Sequence, residues 1–191
     1  MKLISWNCRG TNNAAFRRNC HELLNLHRPD AICLIETKAS SREPPRFLSK
    51  LGFTENYQVP STGLAGGIWL FWNPVSIIIS VIESESQLIH CHLLQGNNEL
   101  NATFAYIQPS TEKKREFWSQ AEEISRTTLG PWILIGDLND IAFESERAPQ
   151  RNGSTTSSLR FREHIQDCDL IDMESSGCKF TWIREQHGRI I

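Results

Sequence analysis

The residues of this chain that could do chemistry stand directly after apolar runs, and the clearest case is Gly136-Asp137-Leu138-Asn139. The run before it, residues 132–135, has the length and the flanking turn residues of a buried strand. Such a strand delivers the carboxylate of Asp137 and the carboxamide of Asn139 to the edge of a sheet. An acid beside an amide suits the orientation of an attacking water and the binding of an anionic phosphate. A Gly/Asp/Asn turn often simply ends a strand. The functional interpretation of these residues therefore depends on whether other strands of the chain also end in polar side chains.

Earlier apolar runs of the chain also end in a polar side chain. These runs are residues 3–6, 31–35 and 102–105, and the side chains that follow them are Asn7, Glu36 and Tyr106. Ligand and catalytic groups tend to lie where strands give way to loops, because a rigid scaffold then holds the reacting groups. Each residue alone is more simply the polar end of its strand, but together they predict one site. Its members are Asn7, Glu36, Tyr106, Asp137 and Asn139.

Other motifs are better explained without chemistry. His90 and His92 alternate on one strand and could bind zinc, but without a third ligand they are more typical of a polar strand face. Asn101-Ala102-Thr103 matches a glycosylation acceptor, which has no meaning in a chain without a secretion signal. The basic runs at residues 17–18 and 113–115 indicate solvated helix or loop faces.

The composition bounds the class of protein. With 191 residues, 39% hydrophobic and 22% charged, the chain is predicted to form a single domain, residues 1–191. Its net charge of −2 excludes a polycation, so nucleic-acid binding would need a local basic face. Its six cysteines form no C-x-x-C pair, which favours small apolar side chains in a reducing compartment. No signal-peptide core and no bilayer-length apolar stretch occurs. We therefore expect an intracellular protein, in the nucleus or cytoplasm, that is not secreted and has no membrane partner.

Apolar periodicity predicts helices on both sides of a β-rich centre. Helices are expected after Thr11-Asn12-Asn13, from Pro44-Pro45, after Ser110-Thr111 and after the polar loop 144–157. The buried stripe of the third of these is predicted as Phe117, Trp118, Ala121 and Ile124. Strand runs at 67–72, 77–82, 88–94 and 100–107 are joined by short turns, which favours antiparallel pairing, and a last run lies at 180–183. The pattern predicts an α/β (α+β) fold, a layered sandwich of two packed, largely antiparallel or mixed β-sheets flanked by helices.

Five blocks of the chain, in order, carry a family likeness. They are residues 6–10, residues 29–38, residues 66–72, Tyr106 with Trp118 and residues 130–139, and Gly177 with residues 180–182. These blocks resemble the endonuclease/exonuclease/phosphatase superfamily, and most closely the apurinic-type endonuclease domain of plant LINE (non-LTR) retrotransposons. The likeness runs through nearly the whole chain.

This resemblance implies metal-assisted hydrolysis of a phosphodiester, with DNA as the substrate. Glu36 would hold Mg²⁺ or Mn²⁺, with Asn7 nearby as a ligand or phosphate contact, because hard cations take oxygen ligands. Asp137 would orient or deprotonate the attacking water. Asn139 would position Asp137 or the phosphate, and Tyr106 would reach the phosphate with its hydroxyl. In a full element, a reverse transcriptase domain would follow downstream.

The chain departs from this family at its end. Members continue beyond the Phe-Thr-Trp block to further strands and a Ser-Asp-His motif, whereas this chain ends at Ile191 and contains no Asp-His pair. The resemblance thus implies a domain incomplete at its C-terminus, with the last strands missing and catalysis impaired. Two alternatives stay open: a phosphoesterase of the same fold acting on a small phosphate, lipid or RNA, and a non-catalytic retroelement remnant or binding module. The motifs build a hydrolytic centre and not a substrate groove, so they do not separate these functions.

Overall fold

Two four-stranded sheets carry the residues of interest in the computed structural model of the chain. The structure describes residues 1–12, 14–39, 45–61, 63, 65–147, 156–173, 175–177, 185–186 and 189–190, the last four by backbone alone. The chain divides into two compact units: the first comprises Met1–Phe117 and Thr128–Leu138, and the second Trp118–Thr127 and Asn139–Ile191. The single domain over residues 1–191 stays a prediction.

The first sheet has the strand order β1-β2-β4-β3. Its strands are β1 (Leu3–Asn7), β2 (Ala31–Ile35), β3 (Glu55–Val59) and β4 (Ile68–Trp72). β1 and β2 run parallel, whereas β4 pairs antiparallel with both β2 and β3. The sequence pattern does not predict β3. This edge strand exposes three of its five residues, so it lacks the apolar run that marks the other strands.

The second sheet has the order β5-β6-β7-β8. Its strands are β5 (Ile78–Glu85), β6 (Leu88–Gln95), β7 (Asn98–Tyr106) and β8 (Trp132–Asp137). β5, β6 and β7 form the antiparallel meander that the short turns predict. The pairing of β4 with β5 that the short turn at Asn73-Pro74 also predicts is wrong, because β4 lies in the first sheet and β5 in the second. β8 then joins β7 in parallel, because the chain between them crosses over through a helix. The strand predicted at 180–183 lies outside the described residues.

The inward faces of the two sheets form one core. Its buried residues alternate along the strands, as expected when one face of each sheet is covered. Members from the first sheet include Cys33, Ile35 and Leu70, and members from the second include Cys91, Phe104 and Tyr106. The predicted sandwich of packed sheets is thereby confirmed.

Helices α1 (Ala14–His27) and α2 (Arg46–Lys50) cover the opposite face of the first sheet. α1 begins directly after the Thr11-Asn12-Asn13 start signal. It buries Phe16, Cys20 and Leu24 in a cluster that also holds Ile32 of β2 and Phe71 of β4. Residues spaced three and four apart share one helix face, which explains how α1 presents a continuous apolar stripe to the sheet.

Helix α3 (Thr111–Thr127) begins in the first unit and ends in the second. Its predicted stripe of Phe117, Trp118, Ala121 and Ile124 is buried, which confirms that prediction. In the second unit the indole of Trp118 meets the ring of Phe161 edge-on, with centroids 5.7 Å apart. Phe161 lies on α4 (Thr156–Asp167). The unit also contains a 3₁₀ turn (Glu144–Glu146) and two short antiparallel strands, β9 (Glu185–Gln186) and β10 (Arg189–Ile190).

The cysteines behave as small apolar side chains. Those in the described part of the chain, Cys8, Cys20, Cys33, Cys91 and Cys168, are buried and form no disulfide there. Burial raises the pKa of the Cys8 thiol to about 11 and that of Cys91 to about 12, so both stay protonated and inert at neutral pH. None of the described helices combines the length and apolar composition needed to cross a membrane.

Candidate active site

The parallel pair β1 and β2 brings Asn7 and Glu36 to the same edge of the first sheet. Asn7 is the last residue of β1 and is paired in register with Ile35, the last residue of β2. Glu36 follows at once. Because parallel strands end on the same side of a sheet, the amide and the carboxylate leave their strands side by side.

The parallel strands β7 and β8 bring Tyr106 and Asp137 to the same edge of the second sheet. Tyr106 ends β7, Asp137 ends β8, and the two residues are register partners. The backbone N–H of Ile107 donates to the Asp137 carbonyl at 3.0 Å, which extends the pairing by one residue. Four of the five residues that the sequence groups into one site therefore stand at the carboxyl ends of parallel strands.

One hydrogen bond links the two strand ends across the sandwich. The Asn7 side-chain nitrogen Nδ2 donates to Asp137 Oδ2 at 2.9 Å, between residues 130 positions apart in the chain. The other amide atom, Asn7 Oδ1, accepts from the backbone N–H of Arg9 at 3.2 Å. Both bonds need the amide in this one orientation, since a carboxylate cannot donate and a backbone N–H cannot accept. Asn7 is thereby fixed with its donor aimed at the Asp137 carboxylate.

The pKa of the Tyr106 phenol is raised above its ordinary value. Burial of this side chain is the main cause that raises the pKa of its phenol. The negative charges of Glu36 and Asp137 raise it further, because both oppose formation of a phenolate. Both carboxylates therefore act on the same phenol, which places Tyr106, Glu36 and Asp137 in one electrostatic environment.

Backbone hydrogen bonds hold the Glu36 loop in an unusual conformation. Glu36 has a φ of 56° and Lys38 a φ of 52°, the left-handed region that non-glycine residues seldom adopt. The Glu36 carbonyl accepts from Gly10 N at 2.8 Å, and Lys38 N donates to Gly66 O at 3.1 Å. A side chain at Gly67 would collide with Thr37 Oγ1. Gly67, just before β4, therefore gives the Glu36 loop the room it needs.

Gly136 is required for a different reason. A Cβ placed on it would collide with the backbone carbonyl of Ala105 on the neighbouring strand β7. The lack of a side chain lets the end of β8 lie close against β7 just before Asp137. The glycine of Gly136-Asp137 thus positions the acid through backbone packing.

The residues at this edge suit a divalent cation. Lys38 Nζ lies 2.8 Å from Glu36 Oε1, and only 17% of the Glu36 side chain is exposed. An ammonium group thus rests on the carboxylate proposed to bind metal, while Asp137 carries a second negative charge into the same environment. Carboxylate and amide oxygens are the donors that Mg²⁺ and Mn²⁺ take. The donor set therefore fits such an ion.

Sequence reasoning missed the pairing of Lys38 with Glu36 and the role of the Arg9 backbone. Both lie within two residues of a predicted site residue, but nearness in sequence does not by itself fix the loop conformation that makes these contacts. Asn139 lies two residues beyond Asp137 in the loop after β8, with a φ of 48° and an exposed side chain. It belongs to the second unit, and its part in the site stays a prediction.

The two histidines of the alternative zinc pair have other partners in the described part of the chain. His90 is buried, and its Nδ1 lies 2.8 Å from the hydroxyl of Thr103. His92 is partly exposed and its Nε2 lies 3.6 Å from Glu99 Oε2. Among the described residues, no cluster of three metal-ligating side chains includes either histidine.

The sequence matches the profile described as the Endonuclease/Exonuclease/phosphatase family over residues 4–182. The chain belongs to this family. The matched stretch contains every residue of the candidate site, from Asn7 to Asn139. No curated protein matches the chain in sequence.

Several solved structures have a fold similar to that of this chain. A 3′–5′ exonuclease from Neisseria meningitidis is 16% identical and aligns over 87% of this chain and 71% of that one, with a TM-score of 0.63. An AP endonuclease from Leishmania major is 16% identical over 87% of this chain and 66% of that one, with a TM-score of 0.64. The catalytic domain of human Nocturnin is 18% identical over 73% and 65%, with a TM-score of 0.52.

At these identities the likeness establishes the family's fold and no more. The chain spans 63% of the length of D. rerio TDP2, 65% of the Nocturnin domain and 66% of the Leishmania enzyme. Two structures contain DNA: the Neisseria enzyme was solved with a product DNA hairpin, and D. rerio TDP2 with a single-strand DNA product.

Proposed function

We propose that this chain is a metal-dependent phosphodiester hydrolase that acts on DNA, the endonuclease-like domain of a LINE-type retroelement. The observation that carries the proposal is the 2.9 Å hydrogen bond from Asn7 Nδ2 to Asp137 Oδ2. It joins the ends of strands from two different sheets at the place where Glu36 emerges. A bond of this kind holds a carboxylate in one orientation, which a general base or water-orienting group needs.

Glu36 is the residue that would hold Mg²⁺ or Mn²⁺ in this proposal. Its carboxylate already attracts the cationic Lys38, and a bound metal ion would take the place of that ammonium group. When bound, such an ion stabilises negative charge on the phosphate and the leaving oxygen. Without a cation, Glu36 and Asp137 would repel an incoming phosphate.

The remaining site residues orient the reacting groups and exchange protons with them. Asp137 accepts the hydrogen bond of Asn7 on one oxygen and orients or deprotonates the attacking water. Asn7 holds Asp137 in place, a role that the direction of its amide supports over direct metal binding. Tyr106 is protonated at neutral pH like any phenol, and its raised pKa extends that range upward, so its hydroxyl can donate to a phosphate oxygen. Asn139 is assigned to the phosphate or to Asp137 by the family likeness alone.

Separate observations support DNA as the substrate and a retroelement as the origin. Two proteins of similar fold were solved with DNA products, which favours a nucleic-acid substrate. The ordered motifs, such as Trp6-Asn7-Cys8-Arg9-Gly10 and Glu36-Thr37-Lys38, favour the LINE branch. In that setting a reverse transcriptase would lie downstream in the element.

Nicking of supercoiled plasmid by this chain, with and without Mg²⁺, tests the proposal. Since the 191 residues contain no Asp-His pair, we expect slow nicking, because loss of one donor to the transition state typically costs about 10²–10³ in rate. The assay therefore needs protein in excess over plasmid. Asp137→Asn should lower the rate by a further factor of about 10²–10⁴, the usual contribution of general base catalysis.

Glu22→Gln is the matched control, because it removes an exposed carboxylate from α1 and should leave nicking unchanged. Phosphate release from a small phosphomonoester, measured in parallel, separates the two hydrolytic functions. Release without nicking would point to a small-molecule phosphoesterase. Equal nicking by the original chain and Asp137→Asn would refute the proposed site.

A further inference from the structure

A second cluster of metal-ligating side chains lies in the second unit. It consists of Glu122 on α3 with His164 and Asp167 on α4, and one ligand atom from each residue lies within 4.8 Å of the other two. His164 and Asp167 are three positions apart, so one turn of α4 presents both on the same side. None of these three residues belongs to the candidate active site.

The His164 ring nitrogen Nδ1 is buried and has no hydrogen-bond partner among the described residues. It faces Glu122 Oε1 at 3.7 Å, which is too long for a hydrogen bond. The His164 side chain as a whole is 30% exposed, but Nδ1 itself is buried, and a bound ion would remove the free-energy cost of its missing partner. The imidazole ring of His164 is also held in one orientation, because it stacks on the Trp118 indole. The ring centroids lie 5.2 Å apart and the ring planes differ by 5°.

The separation between Nδ1 and Oε1 suits two ligands of one ion. Zinc binds histidine nitrogen and carboxylate oxygen at about 2.0–2.2 Å, which places two tetrahedral ligand atoms about 3.4 Å apart. The observed 3.7 Å lies close to that separation. One imidazole and two carboxylates suit Zn²⁺ or a similar transition-metal ion better than Mg²⁺, which prefers an all-oxygen shell.

We propose that Glu122, His164 and Asp167 form a binding site for a divalent transition-metal ion of the Zn²⁺ type, which fastens α3 to α4. The three side chains supply three ligands, and water completes the shell at the exposed Asp167. The stacked Trp118 holds the imidazole ready, which reduces the entropy lost on binding. The alternative is that Glu122 and a charged His164 form a simple ion pair with no affinity for metal.

Calorimetric titration of the 191-residue chain with Zn²⁺ in excess Mg²⁺ tests this site. The Mg²⁺ serves to occupy the all-oxygen active site, so that Zn²⁺ reports on the histidine-containing cluster. We expect one equivalent of Zn²⁺ to bind, and His164→Gln, Glu122→Gln and Asp167→Asn each to weaken binding by more than about tenfold, since even the loss of an indirect partner typically costs 10–100-fold. Co²⁺ provides a spectroscopic readout, because its d–d absorption should appear with the original chain and disappear with His164→Gln.

Each variant has a neighbouring control that leaves the cluster intact. The controls are Glu123→Gln, His27→Gln and Asp169→Asn, all of which change exposed side chains. Glu36→Gln is also tested, because retention of Zn²⁺ binding in it would separate this site from the candidate active site. Equal Zn²⁺ affinity in the original chain and His164→Gln, or no saturable binding at all, would overturn the proposal and leave the ion pair as the explanation.

Discussion

At the scale of single residues, Asn7 connects the two halves of the candidate site. Its amide donates to Asp137 and accepts from the Arg9 backbone, so both of its polar ends are engaged. A water molecule could replace the lost bond to Asp137 in a variant, but it would not fix the carboxylate in one direction. In the proposed function Asn7 is therefore a positioning residue, whose removal should affect rate more than folding.

Asn7→Ala should lower the nicking rate by about 10–100-fold, the usual effect of removing a partner that orients an active-site group. The cost in the free energy of unfolding should be about 1 kcal/mol, since the bond is only partly buried. Single-turnover nicking and urea denaturation measure the two effects. Asn25→Ala, an exposed position on α1, controls for the loss of an amide. A purely structural role for Asn7 would show as a large loss of stability with the rate of the folded protein unchanged.

At the scale of elements, the close approach of β7 and β8 decides where Asp137 stands. The two strands are parallel and in register up to Tyr106 and Asp137. Gly136 allows this approach because any Cβ there would meet the Ala105 carbonyl, which belongs to the backbone and cannot rotate away. A larger residue at 136 must push β8 outward and carry Asp137 with it.

Gly136→Ala should destabilise the protein by about 1–3 kcal/mol, the range for inserting a group into a packed interior. It should also weaken the link between Asp137 and Asn7 and so slow nicking. The control is Gly96→Asn in the turn between β6 and β7, where nothing lies within 4 Å of a Cβ and the φ of +60° suits asparagine. Urea denaturation compares the two variants. Similar free energies of unfolding for both would show that the strands can separate at Gly136 without cost.

Strands with continuous apolar runs could be predicted from the sequence, and this explains which elements were found. β2 and β4 are buried at every position, so each stands out as an unbroken apolar run. β3 is mostly exposed and its polar residues give no such signal. The pairs Asn7 with Glu36 and Tyr106 with Asp137 also followed from strand ends, because a sheet collects the ends of its parallel strands at one edge.

Contacts between distant or irregular segments could not be predicted. The bond from Asn7 to Asp137 spans 130 positions and depends on how two sheets pack face to face. The ion pair of Lys38 with Glu36 depends on two left-handed residues in one loop. Neither the sheet packing nor the loop conformation has a local sequence signal strong enough to fix it.

At the scale of the whole molecule, we expect a buried polar network around His90 to make stability depend on pH. The Trp132 indole N–H donates to Thr103 Oγ1 at 2.8 Å. The Thr103 hydroxyl can then donate its own proton to His90 Nδ1, 2.8 Å away, which requires a neutral imidazole at that nitrogen. Burial lowers the pKa of His90 below its ordinary value of 6.5, because desolvation disfavours the charged ring.

Stability should therefore fall as the pH drops below about 6.5, the unfolded pKa of histidine. Above that pH both states carry neutral His90 and the residue adds no pH dependence. Below it the unfolded chain takes up a proton that the folded protein refuses, so unfolding becomes more favourable until the pH reaches the lowered pKa of the folded state. Urea denaturation at several pH values between about 7.5 and 5.5 measures this. His90→Gln should flatten the dependence, and an unchanged slope would show that His90 is not its source.

We propose that the ends of β1, β2 and β8 form one cation-binding hydrolytic centre, with Glu36 as its principal metal ligand. Titration calorimetry of Mg²⁺ with the original chain and Glu36→Gln tests it most directly, because an amide binds Mg²⁺ far more weakly than a carboxylate. Lys38→Met gives the opposite test: it removes the ammonium group that rests on Glu36 and should tighten Mg²⁺ binding.

We predict that Glu36→Gln weakens Mg²⁺ binding by more than about tenfold, in line with the cost of changes around metal sites. His90→Gln and His92→Gln, which alter the rival histidine pair, should leave Mg²⁺ affinity as it is. Equal affinity in the original chain and Glu36→Gln, or a loss confined to the histidine variants, would contradict the account and place the metal elsewhere in the protein.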